Sequence, residues 1–275
     1  MKRRLIVAVS GGVDSVVLLD KLVKLDEFEL IVAHFDHGIR PDSADDARFV
    51  ADLSAQYGLP FETKREELGE RASEDLARQR RYRFLRSAAE KYQADISTAH
   101  HRNDIAETVA INVSRGTGWR GLACLASDIY RPLLGLNKQE ITDYAERNNL
   151  SWREDSTNQS SVYLRNRLRP KLQDDDLVGQ LAALRARQVE LKREIDREID
   201  EIGWQAPFLR HNFVMMNSVV ASEILRRITS GKLTRPQRER LTLAIKTASA
   251  GSKFEAGGGV IVYFTPRHFT VQVVQ

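Results

Sequence analysis

Six consecutive residues near the N-terminus, Ser10-Gly11-Gly12-Val13-Asp14-Ser15, have the side chains and spacing of a phosphate-binding turn between an apolar run and a helical run. Glycines let the backbone approach an anion closely, and a following helix presents unpaired N–H groups and the positive end of its dipole. The motif G-x-x-x-x-G-K-[ST] of ordinary P-loop NTPases, with its lysine, is absent from the sequence. The segment therefore predicts a nucleotide site of another kind. A tight turn without a ligand is the simpler alternative, which the grouping of serines, glycines and aspartate disfavours.

Two further polar clusters follow predicted strands. One is His34-Phe35-Asp36-His37-Gly38-Ile39-Arg40, and the other runs from His100 and His101 through Asp104 to Glu107 and Thr108. Asp104 and Glu107 are three apart at the start of a predicted helix, so their carboxylates share a face and can bind Mg²⁺ or an ammonium group. Zinc is the alternative, but no cysteine or third well-spaced histidine supports it.

The apolar spacing predicts the framework that positions these clusters. Strand-like and helical runs alternate through the first two-thirds of the chain, which is typical of a doubly wound, Rossmann-like α/β fold with a parallel sheet. Ligands of such sheets bind beyond the carboxyl ends of the strands, where the polar clusters lie. We predict strands at 5–9, 30–34, 61–64 and 95–99, and helices at 16–25, 44–57, 74–92, 104–113 and 137–148.

The last third of the chain has a different pattern. Leucines and isoleucines at helical spacing predict one long amphipathic connector helix over about 178–202. A small α+β segment follows, with predicted helices at 222–228 and 236–248, a glycine turn at 257–259 and strands at 260–264 and 269–274. Residues 204–275 hold ten lysines and arginines against three acidic residues, whereas residues 1–203 hold 32 against 35. This charge favours a polyanionic partner, with a merely solvated basic face as the alternative. We predict three parts, at 1–176, 177–203 and 204–275.

The composition excludes several classes of protein. A chain of 275 residues with 42% hydrophobic residues can form one large and one small domain. Its apolar stretches are too short to span a bilayer, and Met1-Lys2-Arg3-Arg4 leads straight into a predicted strand, so we expect a cytoplasmic protein with no membrane partner. Cys124 is the only cysteine, which excludes an internal disulfide and any cysteine-rich metal site.

These motifs together resemble the N-type ATP pyrophosphatase (PP-loop) class and, within it, the tRNA(Ile)-lysidine synthetase family. The match is strong over about residues 4–170, and the C-terminal segment is more weakly similar to the family's small tRNA-binding domain. Ile105 departs from the glutamine that the family usually has. Besides Ser10 to Ser15, the matching blocks in order are Ala33 to Arg40, Ala77-Arg78 with Arg81-Tyr82, Ala99 to His101 with Asp104 and Glu107-Thr108, Arg115 to Gly118, Arg131-Pro132-Leu133-Leu134, and Glu154-Asp155 through Arg165-Asn166-Arg167.

The resemblance implies an adenine nucleotide alpha hydrolase type of sheet and a two-step ligation. ATP adenylates the C2 oxygen of the wobble cytidine in the CAU anticodon of tRNA(Ile), with release of pyrophosphate. The ε-amine of free L-lysine then displaces AMP and forms lysidine, which switches codon reading from AUG to AUA. ATP and Mg²⁺ are the implied cofactors, residues 204–275 the implied tRNA-binding domain, and a homodimer the implied assembly.

The resemblance also implies roles for single residues. The segment Ser10 to Ser15 would cradle the ATP phosphates, and Ala33 to Asp36 would border the adenosine. The implied catalytic residues are Asp14, Asp36, Arg78, Arg81, Asp104 and Glu107, of which Asp14 and Asp104 are the implied Mg²⁺ ligands. The implied contacts with lysine or tRNA are His100, His101, Arg115, Arg165, Arg167 and Arg169. For the arginines and histidines, surface solvation, ion pairing or loop bracing is the alternative.

Three other functions stay open at this point. A tRNA thiolase of the same class also adenylates a base carbonyl, but its sulfur transfer normally uses several cysteines, and this chain has only Cys124. A small-molecule synthetase of the guanylate type would need a glutaminase partner and gives no reason for the basic C-terminal segment. An inactive nucleotide-binding RNA adaptor would not need Asp14, Asp104 and Glu107.

Overall fold

The computed structural model describes residues 2–38, 43–69, 73–153, 167–172 and 174–274. The chain forms two compact units, Met1–Glu190 and Leu191–Gln275. Each unit has its own hydrophobic core. The predicted combination of a parallel α/β domain with a smaller α+β segment is confirmed.

The first unit is built on a four-stranded parallel sheet. Its strands are β1 (Arg3–Ala8), β2 (Phe28–Asp36), β3 (Phe61–Arg65) and β4 (Asp95–Ser97). Their order across the sheet is β3-β2-β1-β4, so the first strand lies in the interior. In the register of the sheet, Leu5 of β1 lies opposite Leu30 of β2 and Asp95 of β4.

Helices cover both faces of this sheet, as its alternating buried residues require. Leu5 and Val7 of β1 belong to a core on one face, and Ile6 belongs to a separate core on the other face. The helices are α1 (Val13–Leu25), α2 (Ser43–Gln56), α3 (Glu74–Tyr92), α4 (Arg102–Ser114), the short α5 (Trp119–Leu122) and α6 (Lys138–Arg147). The first core includes residues of α1, α2 and α6, and the second includes residues of α3.

The helix starts follow local capping. Helix α1 begins at Val13, three residues before the predicted start, because Gly12 is extended and serves as the N-cap. Helix α6 begins with a capping box, in which the Asn137 side chain accepts from the Glu140 N–H at 2.8 Å and the Glu140 carboxylate accepts from the Asn137 N–H at 2.6 Å. These caps fix the direction in which each helix N-terminus points.

The long helix α7 (Asp175–Glu201) is continuous, close to its predicted span. The elements after α7 are β5 (Phe208–Leu209), α8 (Arg210–Met215), α9 (Ser218–Ile228), α10 (Arg235–Thr247), β6 (Lys253–Gly257), β7 (Val260–Phe264) and β8 (His268–Val273). The four strands form an antiparallel sheet in the order β5-β8-β7-β6. Strand β6 was not predicted, because only Ala256 of its five residues is buried and the apolar signal is weak.

None of the helices in the described part of the chain combines the length and the apolar character that crossing a membrane requires.

The core of the second unit is aromatic, with Phe213 and Phe269 both fully buried. Their ring centroids are 5.1 Å apart in an edge-to-face arrangement, which favours close packing of the sheet against α8.

Candidate active site

Three helix N-termini meet beyond the carboxyl end of the parallel sheet. Helix α1 follows the Ser10–Gly12 turn after β1, and α4 follows the loop after β4. The start of α6 is tied to α4, since the Arg102 N–H donates to the Leu136 carbonyl at 2.8 Å and the Lys138 N–H donates to Asn103 Oδ1 at 3.0 Å. Helix N-termini carry partial positive charge and unpaired N–H groups, so their meeting favours an anionic ligand.

The loop between β1 and α1 is braced by its own serines. The Ser15 hydroxyl donates to the Gly12 carbonyl at 2.8 Å and accepts from the Ser10 N–H at 3.2 Å. Gly11 has φ +94°, a conformation that side-chain-bearing residues rarely adopt, so the turn needs glycine there. Ser15 is buried whereas Ser10 is exposed, which leaves Ser10 better placed to meet a ligand.

Asp14 and Asp104, two predicted site residues, come together around His101. The His101 Nε2 lies 3.8 Å from Asp14 Oδ2 and 3.5 Å from Asp104 Oδ2. Asp104 also accepts the backbone N–H of His101 at 2.9 Å, which fixes the start of α4. The His101 ring is buried, and its Nδ1 has no hydrogen-bond partner within the described residues. The structure thus places two carboxylates and an imidazole together at the Ser10–Ser15 turn.

Asp14 also forms an ion pair with a residue that sequence reasoning missed, at a shorter distance than its contact with His101. The Lys138 Nζ donates to Asp14 Oδ1 at 2.6 Å, across 124 residues of sequence. In the sequence, Lys138 shows only as a residue beside the capping signal of α6. Because no motif marks it, only the packing of α6 beside α1 reveals that a lysine stands at the turn.

A second missed residue holds the other side of the turn. The Arg153 backbone N–H donates to the Gly11 carbonyl at 3.0 Å. The Arg153 guanidinium pairs with Asp46 of α2. The sequence predicts only a polar loop over residues 152–158, and the part beyond Arg153 lies outside the described residues.

The predicted adenosine border after β2 is buried and internally bonded. The His34 Nδ1 donates to the Val9 carbonyl at 2.9 Å, and the Ala33 carbonyl accepts from the Val9 N–H at 2.9 Å. Asp36 accepts the Gly38 N–H at 2.8 Å and lies 3.1 Å from the Arg65 guanidinium. These bonds hold β1 and β2 together at the site, and a contact of this segment with adenosine stays a prediction.

The two predicted arginines of α3 share one aromatic ring. Arg78 lies 5.0 Å and Arg81 5.7 Å from the centre of the Tyr82 ring. Burial of the imidazole, assisted by the positive charge of Arg81, lowers the pKa of His37 to about 4. His37 is therefore neutral at physiological pH, and the segment after β2 faces the positive charge of α3.

The remaining predicted site residues are dispersed. Glu107 is only 3% exposed, one turn into α4, and the His100 ring lies 2.8 Å from the Thr98 hydroxyl. Arg115 is exposed at the far end of α4, about 20 Å along the helix from His101. Arg167 is exposed, whereas Arg165 and the side chain of Arg169 lie outside the described part of the chain.

The donor atoms of the site suit a hard cation. Among the described side chains, no group of three or more His, Cys, Asp or Glu is arranged to hold a metal ion. Asp14 and Asp104 are nevertheless two carboxylates at a single imidazole. Mg²⁺ is commonly held by one or two carboxylates together with substrate phosphates and water, so this donor set fits Mg²⁺ better than zinc.

The fold and the site define a parallel α/β domain with a glycine-rich turn after its first strand and three converging helix N-termini at the carboxyl end of its sheet. The family model of the PP-loop domain matches residues 1–175, and the chain belongs to that family. The sequence resemblance to the PP-loop class is thereby confirmed.

Two curated relatives with similar sequences are tRNA(Ile)-lysidine synthases. The chain is 41% identical over 186 residues to a tRNA(Ile)-lysidine synthase of Solibacter usitatus, with 66% of this chain and 41% of the relative aligned. It is 36% identical over 262 residues to that of Geobacter sulfurreducens, with 88% of this chain and 55% of the relative aligned. The chain thus spans about half the length of these curated relatives.

A solved structure shows the same fold at low sequence identity. The U34-tRNA thiolase NcsA from Methanococcus maripaludis, with its [4Fe-4S] cluster, superposes with a TM-score of 0.55 and 17% identity. The superposition covers 70% of this chain and 72% of that one. At this identity the likeness concerns the fold alone.

Proposed function

We propose that this chain catalyses the ATP-dependent ligation of L-lysine to C2 of the wobble cytidine of tRNA(Ile) bearing a CAU anticodon. The observation that carries the proposal is the meeting of three helix N-termini at a PP loop, where Asp14 and Asp104 flank His101. The relatives named tRNA(Ile)-lysidine synthase support the choice of substrates. The product, lysidine, would switch codon reading from AUG to AUA.

The chemistry explains the need for a nucleotide. The C2 oxygen of cytidine is a poor leaving group until it carries a phosphoryl ester. Its attack on the α-phosphorus of ATP forms that ester and expels pyrophosphate. The neutral ε-amine of lysine then forms a bond to C2, and AMP departs with the C2 oxygen. A carboxylate must position the amine and accept its proton, and Asp104 and Glu107 are the candidates.

Mg²⁺ is the proposed metal. Asp14 and Asp104 would hold it, and when bound it would neutralise charge on the ATP phosphates. The segment Ser10 to Ser15 would hold the phosphates through its backbone N–H groups, with Ala33, His34 and Asp36 forming the wall toward the adenosine. Arg78 and Arg81 of α3 would face the α-phosphate or the tRNA backbone.

The second unit is proposed to bind the tRNA. Most of its basic side chains are engaged internally, as Arg227 is with Asp200 at 2.6 Å. Arg240, Lys246 and Arg267 are exposed, and their side chains form no ion pair or hydrogen bond among the described residues. Guanidinium and ammonium groups of this kind bind phosphates, so these three are proposed tRNA contacts. His100, His101, Arg115, Arg165, Arg167 and Arg169 remain proposed contacts for lysine or tRNA.

The reaction is proposed to occur in the cytoplasm, where tRNA and free lysine are found. A homodimer, which the family resemblance implies, stays a prediction. A tRNA thiolase is the second candidate, but nothing in the described site offers a sulfur carrier. Cys124 is partly buried, and burial raises the pKa of its thiol, which disfavours the reactive thiolate.

One assay separates these functions. Purified protein is mixed with ATP, Mg²⁺, radiolabelled lysine and either tRNA(Ile) or tRNA(Met), both with a CAU anticodon. We expect lysine incorporation into tRNA(Ile) alone, with one pyrophosphate and one AMP released per lysine. Sulfur incorporation from a sulfur donor, or ATP binding with no turnover, would contradict the proposal.

A further inference from the structure

The middle of helix α3 carries more arginines than the proposed catalytic roles account for. Five arginines occur within residues 78–86, and no acidic residue lies among them. Arg78 and Arg81 belong to the predicted site. The other three have no assigned role, and they are Arg80, Arg83 and Arg86. This segment of the first unit is therefore a compact source of positive charge in search of a counterpart.

Two of these arginines lie on the outer side of the helix. Arg83 and Arg86 are three residues apart, so they share one face of α3, and both are exposed. Phe84, Leu85 and Ala88 are buried in the core that α3 forms with the sheet. With a period of 3.6 residues, the exposed arginines fall on the side of the helix opposite to these buried residues.

The exposed arginines differ from their neighbour in their partners. The Arg80 Nε lies 3.9 Å from Glu66 Oε2, and Glu66 also pairs with Lys64 at 2.7 Å. Within the parts of the chain that the structure describes, Arg83 and Arg86 form no hydrogen bond and no ion pair. Two guanidinium groups on one face thus keep their donors available for a ligand from outside the chain.

Helix α3 leads away from the carboxyl edge of the sheet, where the candidate active site lies. It follows β3, and the ring of Phe84 packs 5.7 Å from that of Phe35 near the end of β2. At the other end of the helix, the Tyr92 hydroxyl donates to Glu62 near the start of β3 at 2.6 Å. The exposed face therefore begins beside the site and continues along the outside of the first unit.

The chemistry of this face fits a phosphate backbone. A guanidinium group stays charged at any physiological pH, and its planar set of N–H donors matches two phosphate oxygens. Along residues 78–92, all of which the structure describes, no large hydrophobic side chain is exposed. A stable protein interface normally has an apolar centre, so this surface suits a polyanion better than a protein partner.

We propose that Arg83 and Arg86 bind phosphates of the tRNA anticodon arm next to the reacting nucleotide. The neighbouring nucleotides are covalently bonded to that cytidine, so their phosphates must lie close to the carboxyl edge of the sheet. Arg86 lies about 12 Å along the helix axis from Arg78, which corresponds to about three to four phosphates of a stacked strand. The inference rests on the proposed function in that it takes an anticodon as the substrate. It adds a contact surface on the first unit.

The test measures binding of an RNA hairpin with the sequence of the tRNA(Ile) anticodon arm to the full chain, by fluorescence anisotropy at several salt concentrations. One double variant is Arg83→Ala with Arg86→Ala, and a second replaces both residues by lysine. Arg3→Ala with Arg4→Ala is the matched control, because it removes the same charge. These two arginines are exposed but paired with Asp95 and Glu29, at 2.6 and 2.7 Å, near the start of β1.

We expect the alanine variant of Arg83 and Arg86 to bind the hairpin about tenfold more weakly at low salt. The slope of log K against log salt should become shallower by about 0.7 for each phosphate that is no longer neutralised. The lysine variant keeps the charge and should keep most of the slope, and the control should bind as the wild type does. Thermal unfolding should be unchanged in all variants, since the substituted side chains are exposed.

Wild-type affinity and slope in the alanine variant of Arg83 and Arg86 would overturn the inference. An equal loss in the control would also overturn it, because total charge would then explain the binding. Poly-L-glutamate serves as a second probe. If the alanine variant loses affinity for poly-L-glutamate but binds the hairpin normally, the surface receives an acidic protein and the inference is wrong.

The lysine-incorporation assay separates this inference from the proposed function. If the wild type forms lysidine while the alanine variant of Arg83 and Arg86 binds the hairpin normally, the surface is wrong and the function stands. If that variant loses hairpin binding while the wild type makes no lysidine, the RNA surface stands and the function is wrong.

Discussion

The backbone N–H of Arg153 donates to the carbonyl of Gly11 at 3.0 Å, so the segment after α6 grips the PP loop at its positive-φ glycine. The N-terminal end of α6 contacts the same loop, because the Lys138 ammonium group donates to Asp14 Oδ1 at 2.6 Å. Between these two points, the Tyr144 hydroxyl donates to Asp20 of α1 at 2.7 Å. The turn is thus held by protein contacts before any ligand binds, and a preorganised phosphate site loses less conformational entropy on binding.

Removal of the Arg153 guanidinium should make the position of the turn between β1 and α1 less well fixed. In Arg153→Ala the backbone bond to Gly11 remains, but the ion pair with the mostly buried Asp46 is removed. We expect the KM for ATP to rise about fivefold to thirtyfold with a smaller change in kcat, corresponding to about 1–2 kcal/mol. Steady-state kinetics at varied ATP measures the split.

Asp46→Asn removes the same ion pair from the other side and is the matched variant. A double-mutant cycle of the two changes should be strongly non-additive, because both act on a single contact. Additive effects, or an unchanged KM for ATP in Arg153→Ala, would show that the pair does not position the turn.

Substitution of Asp14 tests the site directly. In Asp14→Asn the carboxylate beside Lys138 and His101 is replaced by an amide of the same volume. We expect lysidine formation to fall at least a hundredfold, because both the proposed metal and the lysine of α6 depend on that charge. Glu29→Gln is the control, since Glu29 forms an exposed ion pair with Arg4 at 2.7 Å near the starts of β1 and β2. Retained activity in Asp14→Asn would contradict the assignment of this turn as the nucleotide site.

The sequence predicted the sheet and its loops because strong periodic signals marked them. Four β-type runs separated by helical runs leave little choice but a parallel sheet, and the motifs after β1, β2 and β4 must then share one edge.

Some residues of the family motifs have structural roles in the fold. Arg131 of the Arg-Pro-Leu-Leu block, for example, is buried and donates to the carbonyls of Leu125 and Ile129.

Lys138 and Arg153 were not predicted, because their significance arises from contacts across more than a hundred residues of sequence. Lys138 resembles any exposed lysine at a helix start, and Arg153 any arginine in a polar loop. Strand β6 was missed for a different reason: as an edge strand with one buried residue, it carries almost no alternating apolar pattern. Long-range placement and edge strands are the features that periodicity does not report.

The exposed cations of the second unit should determine how tightly tRNA binds, but they should not discriminate between tRNA(Ile) and tRNA(Met). We expect the combined variant Arg240→Ala, Lys246→Ala and Arg267→Ala to weaken binding of tRNA(Ile) and tRNA(Met) alike. The slope of log K against log salt should become shallower by about 0.7–0.9 for each tRNA phosphate that the variant no longer neutralises. Filter binding at several salt concentrations measures both quantities.

The matched control for this variant removes cations that are already paired. Arg235 and Lys253 form exposed ion pairs with Glu239 and Glu255, at 2.9 and 3.1 Å. Their combined alanine variant should leave the salt slope nearly unchanged. An equal change of slope in both variants would mean that total charge, rather than these positions, governs tRNA binding.

His37 should make the stability of the chain depend on pH in the mildly acidic range. Its pKa in the folded chain is about 4, against an ordinary value of 6.5, because of burial and the charge of Arg81. The unfolded chain therefore takes up a proton first, and stability present above pH 6.5 is lost as the pH falls toward 4. Between about pH 7.5 and about pH 5 we expect a loss of about 2 kcal/mol or less, since the ring is only partly buried. Urea unfolding of the wild type and of His37→Asn at both pH values isolates the contribution of His37 to the pH dependence. An equal loss of stability in the variant would contradict this prediction.

Asp20 should be a major contributor to the stability of the first unit. It is buried, and it accepts hydrogen bonds from Tyr57 at 2.9 Å and Tyr144 at 2.7 Å while Lys24 lies 2.8 Å away. Burial alone would raise its pKa, but the hydrogen bonds from Lys24, Tyr144 and Tyr57 together lower it below the ordinary 3.8.

Asp20→Ala should lower the free energy of unfolding by about 3 kcal/mol at about pH 7, because it leaves two tyrosine hydroxyls without their acceptor and removes the ion-pair partner of Lys24. Glu29→Ala, which breaks an exposed ion pair, should cost no more than about 1 kcal/mol. The contribution of the ionised carboxylate is present above pH 3.8 and disappears as the pH falls through the lowered pKa, so the gap between wild type and Asp20→Ala should narrow in acid. Urea unfolding at neutral pH and in acid measures this gap. Equal losses in the two variants at neutral pH would show that the carboxylate does not hold α1 to α2 and α6.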